Sequence, residues 1–136
     1  MPVVLEKGDY VFFKPPLDWQ QFGIERYMSR DLSGRGVRDV LKYVAAVEGD
    51  TVQITSDGIT VNGVLLPLAV PLQFDLLGRP IPPFKQSEIR LASGEFLVCS
   101  DNQERVLDSR YFGILNNRHL VGRAVKSQVI FHMIWN

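Results

Sequence analysis

The stretch TVQITSDGITVNGVLLP, residues 51–67, decides the fold class because it places two turn dipeptides between short alternating runs. Asp57-Gly58 separates two β-branched runs, and Asn62-Gly63 follows at the end of the second run. Both dipeptides favour positive φ, which tight type I′ turns require. The stretch therefore predicts two successive β-hairpins and, with them, an antiparallel sheet.

The chain on either side of this stretch also carries mostly β signals. Apolar and β-branched runs predict single strands at residues 9–14, 41–47, 94–100 and 120–135. Residues 15–37 indicate a loop with one helical turn near residues 19–27. Residues 66–93 hold five of the eight prolines and predict a long excursion or a small inserted subdomain. Because no long segment repeats apolar residues at the helical period, the predicted fold is mainly β, with antiparallel coiled sheets or a Greek-key barrel.

The composition suits one folded domain over residues 1–136. Hydrophobic residues make up 46% of the chain and charged residues 22%, which is enough apolar material for a core. The 15 basic residues balance the 15 acidic ones, so nothing in the charge favours nucleic acid or an anionic membrane. No apolar run reaches the ~18 residues of a membrane-spanning helix. Cys99 stands alone, which excludes an intrachain disulfide, and it is predicted to be a small core residue.

A lysine interrupts the strand predicted at residues 41–47. Side chains alternate between the two faces of a strand, so Lys42 shares its face with Val40 and Val44. Desolvation disfavours a charged lysine and lowers its pKa, so Lys42 in an apolar setting can act as a general base that activates a hydroxyl. The alternative is that the strand lies at a sheet edge, from which the side chain reaches water.

A second polar stretch follows the strand predicted at residues 94–100. Ser100-Asp101-Asn102 ends that strand, and the run DSRYFG occupies residues 108–113. Aspartate, serine and arginine side chains this close together can form a hydrogen-bonded corner between loops. A solvated turn is the alternative.

Together these stretches resemble the type I signal peptidase family, the serine-lysine peptidases, and most closely its conjugative-transfer branch, often called TraF. One family box reads roughly Lys-Arg-Val-x-Gly/Ala-x-x-Gly-Asp, and here it stands as KYVAAVEGD, residues 42–50. The next box reads Gly-Asp-Asn, a short spacer and Asp-Ser-Arg-Tyr-Phe/Trp-Gly. Here it stands as SDN at residues 100–102 and DSRYFG at residues 108–113. The segments GDYVFFKPP, GITVNG, DLLGRPIP and HLVGRAV are similar to the family too, so the resemblance spans nearly the whole chain.

The resemblance implies a signal-peptidase-like catalytic domain that removes signal peptides or propeptides from exported proteins, such as a pilin precursor of a conjugation or type IV secretion system. It makes Lys42 the general base that takes the proton from a serine nucleophile. It gives supporting roles to the matching polar residues of the second box, which are Asp101, Asn102, Asp108, Ser109 and Arg110. It implies no metal and no cofactor. The implied partner is an exported precursor with a small-x-small site, not a nucleic acid, and the implied location is the periplasmic face of the inner membrane, in a full-length protein anchored in that membrane.

The chain departs from the family pattern at the nucleophile. The family serine lies in a Ser-Met-x-Pro or Ser-x-Pro motif upstream of the first Gly-Asp strand, where this chain reads Met1-Pro2 and has no serine. We therefore expect a truncated catalytic domain that lacks the transmembrane helix and the nucleophile and is inactive alone. A member that never had the serine is the alternative. Tyr43 replaces the arginine that usually follows the lysine, so a salt bridge from that position to Asp101 cannot form.

Two other functions compete with the peptidase. A non-catalytic β scaffold of a secretion system would bind an exported partner without cleaving it. A LexA-like autoprotease would share the serine-lysine chemistry, but the run DSRYFG at residues 108–113 follows the signal peptidase pattern instead.

Overall fold

The computed structural model describes residues 4–19, 40–67, 69–100, 107–127 and 130–135. The strands within these ranges are β1 (Tyr10–Phe13), β2 (Val40–Ala46), β3 (Thr51–Thr55), β4 (Gly58–Val61), β5 (Val64–Leu65), β6 (Gln86–Arg90), β7 (Leu97–Cys99), β8 (Leu120–Ser127) and β9 (Ile130–Trp135). One short helix, α1, covers Ser109–Phe112. Residues 17–19 are also helical, and the rest of the helical turn predicted near residues 19–27 lies outside the described residues.

The strands form two antiparallel sheets. The five-stranded sheet has the order β7-β2-β1-β8-β9, and the four-stranded sheet has the order β5-β4-β3-β6. Each pairing between these strands is antiparallel. The predicted mainly β, antiparallel fold class is therefore confirmed.

The two turns that decided the fold class form hairpins, but only the second has the predicted geometry. Asn62 and Gly63 both have positive φ, at 52° and 82°, and join β4 to β5 as a tight turn requires. In the first hairpin Thr55 pairs with Gly58, so Ser56 and Asp57 form the turn and Gly58 already belongs to β4. A Cβ atom at Gly58 would lie 3.0 Å from the backbone oxygen of Ala69, so close packing as well as φ favours glycine there.

Two of the strand predictions were incomplete. The segment predicted as one strand over residues 120–135 is two antiparallel strands, β8 and β9. The excursion over residues 66–93 contains β6, which pairs with β3 at the edge of the smaller sheet. Strand β6 was not predicted, because its sequence, QSEIR, is mostly polar and exposed. It therefore shows no alternation of apolar and polar residues.

The core divides into two clusters of buried side chains. The first contains Val11, Val44 and Val98 from neighbouring strands of the larger sheet, together with aromatic residues such as Phe112 from α1. The second gathers side chains from β3 and β4 with Leu97 and Cys99 from β7. Successive side chains of β7 belong to alternate clusters, so Val98 and Cys99 point to opposite faces of the larger sheet.

Candidate active site

Lys42 lies inside the larger sheet and not at its edge. Strand β2 is hydrogen-bonded to β1 on one side and to β7 on the other. Lys42 is only 7% exposed, and its cross-strand partner Val11 and its face neighbour Val44 are 0% and 1% exposed. The predicted apolar setting is therefore present, and the edge-strand alternative is wrong because β2 has neighbours on both sides.

The predicted polar corner is built around the carboxylate of Asp108. It accepts hydrogen bonds from the backbone nitrogen and hydroxyl of Ser100, at 3.0 and 2.8 Å. It also accepts from the backbone nitrogen, Nε and Nη2 of Arg110, at 3.0, 2.9 and 2.9 Å. Both side chains of this ion pair are at most 1% exposed. Asp108 is at the same time the N-cap of α1, which is why the chain turns into a helix there.

The corner covers the outer edge of β7. The backbone nitrogen of Val98 donates to the hydroxyl of Ser109 at 2.9 Å, and the nitrogen of Ser100 donates to Asp108. Alternate backbone donors of a strand edge are thus satisfied by side-chain oxygens, which leaves them unavailable for another strand. Since β7 pairs with β2, the corner is connected through β7 to the strand that carries Lys42.

The corner also holds the proline-rich excursion. Nη1 of Arg110 donates to the carbonyl of Val70 at 3.1 Å, and the backbone nitrogen of Leu72 donates to the hydroxyl of Tyr111 at 2.9 Å. A pocket of about 360 Å³ opens beside these contacts, with Tyr111 and Phe84 among its walls. No local sequence pattern predicts these bonds, because they join positions roughly 40 residues apart.

Cys99 and Tyr43 face each other across β7 and β2. Burial, and then the Asp108 carboxylate, raise the pKa of the Cys99 thiol to about 12, although the Arg110 and Lys42 charges act in the opposite direction. Burial and the contact with Cys99 raise the pKa of the Tyr43 hydroxyl to about 12 as well. Cys99 is therefore protonated at neutral pH and 2% exposed, which confirms its prediction as a core residue.

A second aspartate, Asp50, closes the turn that follows β2. Its carboxylate accepts hydrogen bonds from the backbone nitrogen of Val47 and from Nδ2 of Asn62, both at 2.9 Å, and from Nζ of Lys7 at 3.3 Å. Burial raises the pKa of Asp50, but these three donors outweigh it and lower the pKa below the usual value. Asp50, which ends the first family box, thus connects the turn after β2 of the larger sheet to the β4–β5 turn of the smaller sheet.

Other predicted site residues lie outside the described residues. These residues are Asp101 and Asn102. Within the part of the chain that the structure describes, no group of three or more His, Cys, Asp or Glu side chains could hold a metal ion. No helix of the described ranges is long and apolar enough to cross a membrane.

One family model matches the chain over most of its length. A family model described as signal peptidase, peptidase S26, matches residues 3–128. Two plasmid transfer proteins TraF from Escherichia coli are 37% and 36% identical to the chain, over 85% and 86% of its length. A signal peptidase I from Leptolyngbya laminosa is 29% identical over 62% of the chain. The crystal structure of a signal peptidase I from Enterococcus faecalis V583 superposes with a TM-score of 0.47 at 19% identity, over 88% of this chain and 96% of that one.

The chain matches only a part of the curated relatives. It spans 66% and 67% of the length of the two TraF proteins and 38% of the signal peptidase from Leptolyngbya laminosa.

Proposed function

Because the chain belongs to the signal peptidase family, peptidase S26, we propose that it is a serine-lysine endopeptidase domain in which Lys42 is the general base. The observation that carries this proposal is the position of Lys42, which is 7% exposed on an apolar face of a central strand. Burial of this kind disfavours the charged form of a lysine, and only the neutral form can accept a proton.

The proposed reaction proceeds through an acyl-enzyme. Neutral Lys42 takes the proton of a serine hydroxyl while the hydroxyl oxygen attacks the carbonyl carbon of the scissile bond. The C–N bond then breaks, the amine leaves with the proton that Lys42 returns to it, and the substrate acyl group remains on the serine as an ester. A water molecule, deprotonated by the same lysine, hydrolyses the ester and restores both groups.

The proposed nucleophile is a serine in a segment that enters the site just before β1. The family motif Ser-x-Pro occurs nowhere in the 136 residues. Two of the serines within the described ranges already have structural roles, since Ser100 donates to Asp108 and Ser109 accepts from Val98. We therefore propose that the 136 residues alone do not cleave, as a base without its nucleophile loses the covalent route.

The Asp108 corner has a supporting role in this proposal. Asp108, Ser109 and Arg110 fix β7, and β7 holds β2 in register beside Lys42. We assign Asp101 and Asn102 to the same supporting set because they precede this corner in the family box. We further propose that residues 1–136 form one catalytic domain and that residues 66–93 are its small insertion.

The proposed substrate is an exported precursor with a small-x-small sequence before the scissile bond. Two relatives are named plasmid transfer protein TraF, which supports a role in plasmid transfer. From the resemblance to the conjugative-transfer branch we propose that the precursor is a pilin precursor of a conjugation or type IV secretion system. Such a precursor is processed at the periplasmic face of the inner membrane, so we propose that location for the domain and a membrane anchor for the full-length protein.

Cleavage of a precursor tests the proposal. The domain is expressed with any coding sequence that precedes it and is mixed with the pilin precursor of the same transfer system. We expect a new N-terminus directly after the small-x-small site. Lys42→Ala should lower the rate by about a hundredfold or more, because general-base catalysis contributes at least that much. Lys85→Ala is the matched control, since Lys85 is exposed, and it should leave the rate unchanged.

Each contrary result of the cleavage experiment contradicts a different part of the proposal. If Lys42→Ala cleaves as fast as the native enzyme, the general base is another residue. If the 136 residues cleave as well as the extended form, the nucleophile lies within them. If the extended form cleaves no exported precursor of its system but still binds one, the domain is a non-catalytic scaffold.

A further inference from the structure

The proline-rich excursion contains a turn, residues 74–80, that exposes large apolar side chains. An isolated antiparallel bridge between Phe74 and Pro80 closes this apolar turn. Phe74, Leu76 and Leu77 are 57%, 75% and 77% exposed. Single apolar residues are common on protein surfaces, but three large ones within four positions form a patch, and such patches mark sites of interaction.

The apolar turn is held in shape by its own hydrogen bonds. Oδ1 of Asp75 accepts from the backbone nitrogens of Leu77 and Arg79, both at 2.9 Å, and Oδ2 accepts from Nε of Arg79 at 2.7 Å. The backbone nitrogen of Asp75 donates to the carbonyl of Arg79, and that of Gly78 donates to the carbonyl of Asp75, both at 2.9 Å. Gly78 has a φ of 78°, which glycine adopts without strain. The leucines are therefore presented outward by a rigid turn, which keeps the ordering cost of binding low.

The same bonds indicate that the ligand of the apolar turn is a lipid bilayer. A segment that enters a bilayer must satisfy its own backbone groups, because no water is present there to do so. Four backbone nitrogens, those of residues 75, 77, 78 and 79, already donate within the turn. A protein partner that adds a strand would need donors of the kind that these nitrogens have already used.

The charges of the apolar turn also suit a bilayer. Asp75 and Arg79 form an ion pair within the turn, so their charges cancel. The carboxylate side is 5% exposed, and the arginine side chain, at 35%, keeps access to water. An arginine at such a position can direct its charged end to the headgroups while its neighbours enter the apolar layer.

We propose that the apolar turn inserts Leu76 and Leu77 into the interfacial layer of a lipid bilayer. This inference goes beyond the proposed peptidase activity and does not depend on it. The proposed location at the inner membrane only supplies the bilayer. The turn would give the domain a contact with the membrane besides the proposed anchor.

The contact would fix the orientation of the candidate active site relative to the membrane. The excursion is attached to α1 by the bonds from Arg110 to the carbonyl of Val70 and from the nitrogen of Leu72 to Tyr111. The corner that contains α1 is connected through β7 to the strand of Lys42. A turn seated in the bilayer would therefore hold Lys42 at a set height above it.

Binding to vesicles tests this proposal on the 136-residue chain. The probe is vesicles of pure phosphatidylcholine, which carry no net charge, and the readout is the fraction of protein that floats with them. We expect binding that changes little with added salt or with added anionic lipid, because the charges of the turn cancel. In nanodiscs that contain a nitroxide lipid, the methyl resonances of Leu76 and Leu77 should broaden more than those of Val64.

Variants of the leucines sharpen the test. The double variant Leu76→Ser, Leu77→Ser should lower the partition coefficient about tenfold or more, because it removes most of the apolar area that would enter the lipid. The double variant Leu76→Met, Leu77→Met keeps that area and should bind like the native chain. Val64→Ser is the matched control, since Val64 is an apolar residue outside the turn that is 64% exposed, and it should change nothing.

The outcomes separate this inference from the proposed function. Failure of the native chain to bind the vesicles overturns it, even if the precursor is cleaved. An equal loss of binding in Val64→Ser, or binding that requires anionic lipid and disappears in salt, also overturns it. If the serine variant keeps vesicle binding but loses affinity for the precursor, the turn docks on protein and the lipid proposal is wrong. Vesicle binding that depends on the leucines, in a protein that cleaves no precursor, supports the inference and contradicts the peptidase.

Discussion

Two aspartates, Asp108 and Asp50, close corners of the same fold in different surroundings. Each accepts several hydrogen bonds, but the charged partner of Asp108 is Arg110, whose side chain is 1% exposed. The charged partner of Asp50 is Lys7, whose side chain is 50% exposed. We therefore expect the contribution of each corner to stability to depend less on the number of its hydrogen bonds than on whether the partner cation can return to water when the carboxylate is removed.

Asp108→Asn should have the largest effect on stability. The substitution keeps the shape of the side chain but leaves the guanidinium of Arg110 buried without its counter-charge. Breaking a buried ion pair from one side costs about 3–5 kcal/mol, so we expect the free energy of unfolding to fall by that amount. Urea unfolding followed by circular dichroism measures it. A loss below about 1 kcal/mol would show that water reaches Arg110, and the contrast between the two corners would disappear.

Asp50→Asn should have an intermediate effect. Two neutral donors, the nitrogen of Val47 and Nδ2 of Asn62, lose a charged acceptor, which corresponds to about 1–3 kcal/mol. The same unfolding experiment measures the loss. A loss as large as that of Asp108→Asn would contradict the ranking by burial.

The pH dependence of the Asp50 contribution has a definite sign. The pKa of Asp50 is lowered in the folded state, because the bonds from Val47, Asn62 and Lys7 outweigh burial. A lowered pKa stabilises the fold above the unfolded-state value of about 4, and this contribution is lost as the pH falls through the folded-state value. The stability difference between the native protein and Asp50→Asn should therefore shrink below about pH 4.

Lys7→Ala should have the smallest effect. The ammonium of Lys7 lies 3.3 Å from Asp50 and half of its side chain is in solvent, so the pair contributes at most about 1 kcal/mol. Added salt should reduce even this difference, since exposed pairs are screened. If the loss exceeds that of Asp50→Asn, Lys7 has a packing role beyond its charge.

Local rules predicted the parts of the molecule that depend on neighbouring residues. The Asn62-Gly63 turn follows from backbone preference alone, and the apolar face around Lys42 follows from the alternation of side chains along a strand. The run of residues 108–113 was predicted to be a hydrogen-bonded corner, and Asp108 and Arg110 do form one. These features need no knowledge of distant parts of the chain.

The remaining features depend on long-range pairing. Strand β6 is polar and becomes a strand only because β3 offers it an edge. The bond from Arg110 to the carbonyl of Val70 needs the excursion to be folded back over α1. Val11 pairs with Lys42 on β2 and with Arg123 on β8, and this arrangement needs the register of three strands, which no local pattern specifies.

The pH–rate profile of precursor cleavage tests the central role of Lys42 most directly. A general base works only when neutral, so kcat/KM of the extended enzyme should rise with pH and then level off once the base has lost its proton. Lys42→Ala should be slower by about a hundredfold or more and should show no such plateau, because only hydroxide remains to activate the serine. If Lys42→Ala keeps both the native rate and the native plateau, Lys42 is not the general base of this peptidase.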